Sequence, residues 1–170
     1  MFSREEWNER VHEALESSES RTHFEYACEQ LRHAIEHFYK KEYIPAITLA
    51  GAAQEVLGRI AFERVGQNAI DRSLDWHVRL CKLAGRTDLP TRKRIADSLN
   101  GIRNELKHND KGLDHRVTRY YGTSAIEMID AALLNVMLVE GHRAPSDAFL
   151  AEYHAECPTW DGVIPEPNSK

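Results

Sequence analysis

Cysteine is scarce in this chain. Its three thiols, Cys28, Cys81 and Cys157, are an odd, scattered set with no C-x-x-C pair. That speaks against a zinc ribbon or a disulfide framework and fits a reduced, cytoplasmic setting. No uninterrupted apolar run approaches the length of a membrane span. The opening residues, "MFSREEWNER", turn polar at the third position, which is not the pattern of a secretory signal. The apolar–polar alternation of a half-buried strand is missing. So are a Walker loop, a G-x-S-x-G elbow, an H-E-x-x-H pair and any internal repeat. No metal or cofactor site is expected.

What is present is helical periodicity in nearly every segment. At 170 residues, 42% hydrophobic and 29% charged, the chain suits a single globular domain. Ser3 with Glu6 forms a capping box for a first helix that runs to about Glu16, where "SSES" breaks it. A second helix, about 21 to 41, carries the stripe Phe24, Ala27, Cys28, Leu31, Ala34, Ile35 and Phe38. Pro45 suits the first turn of a third, which ends before Gly66. A fourth spans about 70 to 84 and stops at Gly85. Thr91 or Asp88 opens the fifth, and "NDKGLDH" is the loop that follows it. A long apolar helix over about 117 to 140 should be central. A short one follows Pro145, with Ser146 as its cap. The expected fold is all-α, an up-and-down helical bundle over residues 1–157. The last stretch, "CPTWDGVIPEPNSK", holds three of the six prolines. Residues 158–170 should therefore be an irregular tail, with Trp160 and Val163–Ile164 available to pin it to a surface or a partner.

The net charge of −5 does not advertise a polyanion binder, but its distribution is uneven. From Arg86 to Arg119 there are nine Lys/Arg against five Asp/Glu, a net of +4, so the remainder carries −9. Such a local excess can steer a nucleic acid. The plainer reading of a charge run is a solvated helix face and loop.

The chemistry sits in "GIRNELKHND", residues 101 to 110. At about 100° per residue, Ile95, Leu99, Ile102 and Leu106 form one stripe, the expected core face. Arg103 lies beside that stripe, next to Leu99. Asn104 and His108 share a more polar face with Asp97 and Gly101. Arg103 and His108 on one ideal helix therefore point apart. They converge only if the helix frays at "KHND" or a second copy of it approaches. An Arg offers a planar, permanent cation that fits a phosphate, and a His moves a proton near neutral pH. Together they suit RNA cleavage by the RNA's own 2′-hydroxyl without a metal, with Asn104 donating an orienting hydrogen bond. The plainer reading is the basic last turn of a helix, favoured by its dipole.

"IRNELKH" resembles the R-N-x-x-x-H form of the motif in HEPN domains, and "AITLAGAAQEVLGRI" resembles the first core helix of bacterial proteins in that group. The resemblance spans about residues 22 to 142. It implies an all-α bundle that dimerises with its two motif helices face to face, which would bring Arg103 and His108 of two chains into one cleft. It implies either a metal-independent endoribonuclease of toxin or defence type, or a non-catalytic module that binds a partner protein, such as an antitoxin, or a nucleotide. Arg103, Asn104 and His108 match its motif, and Glu55 is the candidate supporting acid. Lys107, Lys111, His115 and Arg116 follow as candidate nucleic-acid contacts, with plain loop residues as the alternative for the last two.

Glu55 also has a sequence logic of its own. Helix three is apolar through Leu49, Ala53, Val56 and Ile60, and again through Ile44, Ile47, Gly51, Gly58 and Phe62. A helix apolar on two sides is covered on two sides, or by a partner chain. A Glu on such a face should find a salt-bridge partner. His33 and His37, with Glu29 a turn earlier, share a face opposite the Leu31 stripe and should be solvated rather than metal-binding. Tyr120 and Tyr121 suit base stacking or, more plainly, packing. A structural bundle that merely contains R-x4-H is the third reading.

Overall fold

A computed structural model describes residues 3–16, 20–107, 120–142 and 144–156. Among these there are seven helices and no strand. They are α1 (Arg4–Glu16), α2 (His23–Tyr39), α3 (Tyr43–Val65), α4 (Ala69–Leu83), α5 (Arg92–Lys107), α6 (Tyr121–Glu140) and α7 (Ala148–Glu156). The all-α bundle expected from the sequence is what forms; the Pro-rich tail lies outside the described residues.

Local chemistry sets most helix ends. The Ser3–Glu6 box is made in both directions: Glu6 N–H donates to Ser3 Oγ at 3.2 Å and Ser3 N–H to Glu6 Oε2 at 2.6 Å. These bonds hold the Glu6 carboxyl below its usual range. Thr22 and Glu25 repeat the device at α2, and Asn68 and Asp71 at α4. Thr91, not Asp88, opens α5, accepting from Arg94 N–H at 3.2 Å, while Asp88 binds Arg86. Gly66 and Gly141 end α3 and α6 at φ values of 73° and 71°, a region open to glycine without strain. At α7 the expected cap is corrected. Asp147 Oδ1 accepts from Leu150 N–H at 3.1 Å, while Ser146 is captured by the Glu140 carboxylate.

The core is a three-helix stack of α2, α3 and α6, closed at one end by α7. The short link through residues 40–42 makes α2 and α3 antiparallel neighbours. Leu31, Ile35, Leu57, Met128, Ile129, Leu133 and Leu150 are fully buried, each contributing on the order of 1.5–3 kcal/mol. The stripe expected on α2 is this core face. By length and composition α6 could cross a membrane (mean hydropathy 1.4), yet it fills the middle of the bundle, which explains its apolar character. The side chains described in α1 are all exposed, including Trp7 and Val11.

One polar side chain lies at the centre. Asn135 on α6 is 0% exposed. Its Oδ1 accepts from Ala69 N–H at 2.7 Å, satisfying a donor in the first turn of α4, and its Nδ2 points to Gln54 O at 3.4 Å. The amide thus joins α6 to α4 and α3.

Two outcomes are expected. Asn135→Leu should cost about 2–4 kcal/mol, because it strands the Ala69 N–H in a dry core and leaves α4 untied; urea melts of both proteins measure it. Cys28 is buried beside Glu140 and Asp147, and burial first, then these carboxylates, push its thiol up to about 12. The unfolded thiol loses its proton at about 8.5, so in alkaline solution the unfolded state binds fewer protons and stability falls as pH rises. In the native protein at mildly alkaline pH, Cys28 should be alkylated at least about a hundredfold more slowly than half-buried Cys81. Peptide mapping by mass spectrometry separates the two.

Candidate functional site

Helix α5 is held to the bundle by a small cluster in which Ile102 packs with Ala46, Ile47 and Ala125, flanked by Leu106 and Tyr121. Of the stripe Ile95, Leu99, Ile102 and Leu106, only Ile102 is buried, and the other three are half-buried. This corrects the expectation of a full core face. α5 lies at the rim of the bundle: Ile95 and Leu99 line a cavity, and Leu99 also packs against the main core.

Ile102 fixes where its neighbour Arg103 goes. The Arg103 side chain crosses to α3 and lies against Gly51. A β-carbon added at Gly51 would stand 2.3 Å from Arg103 Cδ and 3.2 Å from Cγ, so the arginine stem occupies the space any other residue would fill. Arg103 Nη1 donates to Gly51 O at 2.8 Å and meets Glu55 Oε2 at 3.2 Å. The Glu55 side chain is 64% exposed and that of Arg103 only 21%. The pair therefore sits at a cleft wall, with the guanidinium inside and the carboxylate at the rim. Solvent screens such a pair, and its contribution to stability is small. Its role is to aim the guanidinium.

That guanidinium faces a cleft of about 380 Å³ between α3, α4 and α5, walled also by Arg59, Arg92, Asn68 and Asn100. Two polar atoms in this wall, Arg103 Nε and Asn100 Oδ1, are buried without a hydrogen-bond partner among the described residues. An unpaired buried donor is costly, on the order of 1–3 kcal/mol. Arg59 is exposed and makes no ion pair among the described residues, whereas Arg92 is anchored to Asp71 at 2.6 Å. Phe62 is 55% exposed at the edge and offers an aromatic face. Three guanidinium groups, two of them paired with the Glu55 and Asp71 carboxylates, leave the cleft one net positive charge on Arg59, and a phosphate suits the arginine forks.

The other candidates fall in different places. Asn104 is exposed on α5, away from the cleft wall, and Lys107 is exposed at the helix end. His108, Lys111, His115 and Arg116 lie outside the described residues. Tyr121 packs in the small cluster beside Ile102, while Tyr120 is 88% exposed. His33 pairs with Glu36, His37 with Glu42 and Glu29 with Arg21, and no metal-binding group of His, Cys, Asp or Glu occurs among the described residues. The second apolar side of α3 is partly covered: Ile47, Gly51 and Gly58 are buried, Ile44 and Phe62 exposed.

No protein-family model matches this chain, and neither a curated protein nor a solved structure matches it. The case for the site is therefore one of geometry and residue chemistry.

Sequence reasoning missed Arg59, Arg92 and Asn100. Arg59 was within reach, because Glu55, Arg59 and Phe62 recur at helical spacing on one face. Arg92 carried no such signal, since its place depends on Asp71 in another helix.

A mutant cycle tests the seat of Arg103. In the wild-type background Gly51→Ala should cost about 1–2 kcal/mol, because the arginine stem must leave. In the Arg103→Ala background the same change should instead stabilise by about 1 kcal/mol, the gain of alanine over glycine in a helix. Equal effects in both backgrounds, read from urea melts, would mean that the contact does not exist in solution.

Proposed function

We propose that this protein is a HEPN-like, metal-independent endoribonuclease of toxin or defence type, acting in the cytoplasm as a homodimer. The observation that supports it best is the convergence of Arg103 and Glu55 at a cleft with two further arginines and an unpaired guanidinium nitrogen. These are the arginine and supporting acid that the R-N-x-x-x-H resemblance names. In this reading Arg103, held by Gly51 O and Glu55, binds the scissile phosphate and stabilises charge on the phosphorane oxygens. His108 transfers the proton as the 2′-oxygen attacks phosphorus and the 5′-oxygen leaves. The products are a 2′,3′-cyclic phosphate and a 5′-hydroxyl. Asn104, on another face of α5, orients the phosphate or imidazole across the dimer. Lys107, Lys111, His115 and Arg116 are the candidate contacts to RNA in this reading.

A second reading has one observation in its favour. Arg103 Nη1 is already engaged by Gly51 O and Glu55, so the arginine also serves to lock α5 to α3. A non-catalytic HEPN-like module that binds a nucleotide or a partner protein, an antitoxin included, needs no more than that.

The first measurement is incubation of the purified protein with a mixed RNA pool in EDTA, beside His108→Ala and Arg103→Ala, each checked for folding by circular dichroism. Cleavage that leaves cyclic phosphate ends is expected, with both variants slower by about a hundredfold or more. No cleavage across the pool favours the binding module. Cleavage that survives both substitutions overturns the assignment of residues 103 to 108.

A further inference from the structure

A second cavity of about 380 Å³ lies between α4, α5 and α6. The two are neighbours, since Ile70 lines both. Its volume falls in the range of small-molecule sites, about 300–1,000 Å³. The body of the cavity is apolar, built from Ile70, Trp76, Leu99, Ala131 and Leu134. Besides Ser73, Ser98 and His77, its polar side chains are carboxylates. Glu127 and Asp130, three apart and so on one face of α6, line it, and no Lys or Arg does among the described residues. Asp130 is engaged in another interaction. Glu127 is exposed and makes no ion pair among the described residues, so its carboxylate remains open to a cation. His77 also lines the cavity, with its Nδ1 donating to Ser73 O at 2.7 Å.

We propose that this cavity is a binding site for a small amine with an apolar body, aromatic or branched aliphatic, and an ammonium head. The body replaces water against Leu99, Ala131 and Leu134. The ammonium meets Glu127, and the ring of Trp76 offers the aromatic face that best receives a cation. An anion of the same shape would meet two carboxylates and is excluded. The charge of this site is opposite to that of the arginine cleft, so the two take different ligands. The proposal does not depend on RNA cleavage.

Trp76 provides the readout. The chain has three tryptophans, so the full-length protein with Trp7→Phe and Trp160→Phe reports on Trp76 alone. Phenethylamine is the probe and hydrocinnamate, a carboxylate of similar body, the control. A saturable change in Trp76 fluorescence is expected with a Kd below about 1 mM, and at least about tenfold weaker binding of hydrocinnamate. Glu127→Gln, at an exposed position that folding does not depend on, should weaken phenethylamine at least about threefold while leaving hydrocinnamate no weaker. Ala131→Leu and Ser73→Leu fill the cavity, and either one, if folded by circular dichroism, should abolish the signal. The proposal is overturned by no saturable change, by hydrocinnamate binding as tightly as the amine, by Glu127→Gln without effect, or by binding that survives a folded filling variant.

Discussion

Helix α3 has neighbours on two sides, and glycine decides how closely they come. Gly51 and Gly58 are seven residues apart, two turns on one face. At the first, the missing β-carbon makes room for the stem of Arg103 from α5; at the second, the nearest atom to the vacant position is Asn135 Nδ2 of α6, at 3.3 Å. The same track therefore seats the arginine of the candidate site and the buried amide that ties α6 to α4. A side chain at Gly51 would displace the first, and one at Gly58 would press on the second. Both glycines forgo about 1 kcal/mol of helix propensity for that approach.

The motif helix is correspondingly exposed. It meets the bundle through one buried residue, Ile102, with the small cluster around it, and through half-buried Leu99 against the main core, with Arg103 as a polar strut to α3 and Arg92 to α4. A cavity lies on each flank, one lined by arginines and one by apolar groups with carboxylates. Functional helices are often drawn from the less densely packed parts of a fold, since a fully covered helix has no surface left to offer a ligand. α6 is more fully covered: residues 132–137 are all buried, and it reaches the second cavity through one flank, Glu127, Asp130, Ala131 and Leu134.

Polar atoms do two different jobs here. Asn135 is satisfied within the fold and fixes which helices meet. Arg103 is satisfied only in part, with Nη1 bonded and Nε buried without a partner among the described residues. A fully paired buried group specifies structure, while a partly paired one at a cleft wall leaves a bonding cost unmet. That contrast sets the arginine cleft apart as the place to look for chemistry.

Much of this was written locally in the sequence. Ser3 with Glu6, Gly66 and Gly85 end helices by bonds within a few residues, and the α2 stripe from Phe24 to Phe38 is its core face because periodicity fixes a face. Glu55 on its apolar face needs a basic partner, but nothing along the chain selects Arg103, which is 48 positions away. Ser146 and Asp147 are equally good caps by type; Glu140, folded back alongside, takes the serine and leaves the aspartate to cap. Periodicity placed Ile95 and Leu99 toward protein but could not say that the space opposite is a cavity. The sequence by itself determined most helix ends and, among the described residues, the number of helices, because these depend on contacts a turn or two apart. Only the tertiary structure decided which side chains meet across helices, and so where the arginines converge, because that depends on how closely backbones approach, and here on two missing β-carbons.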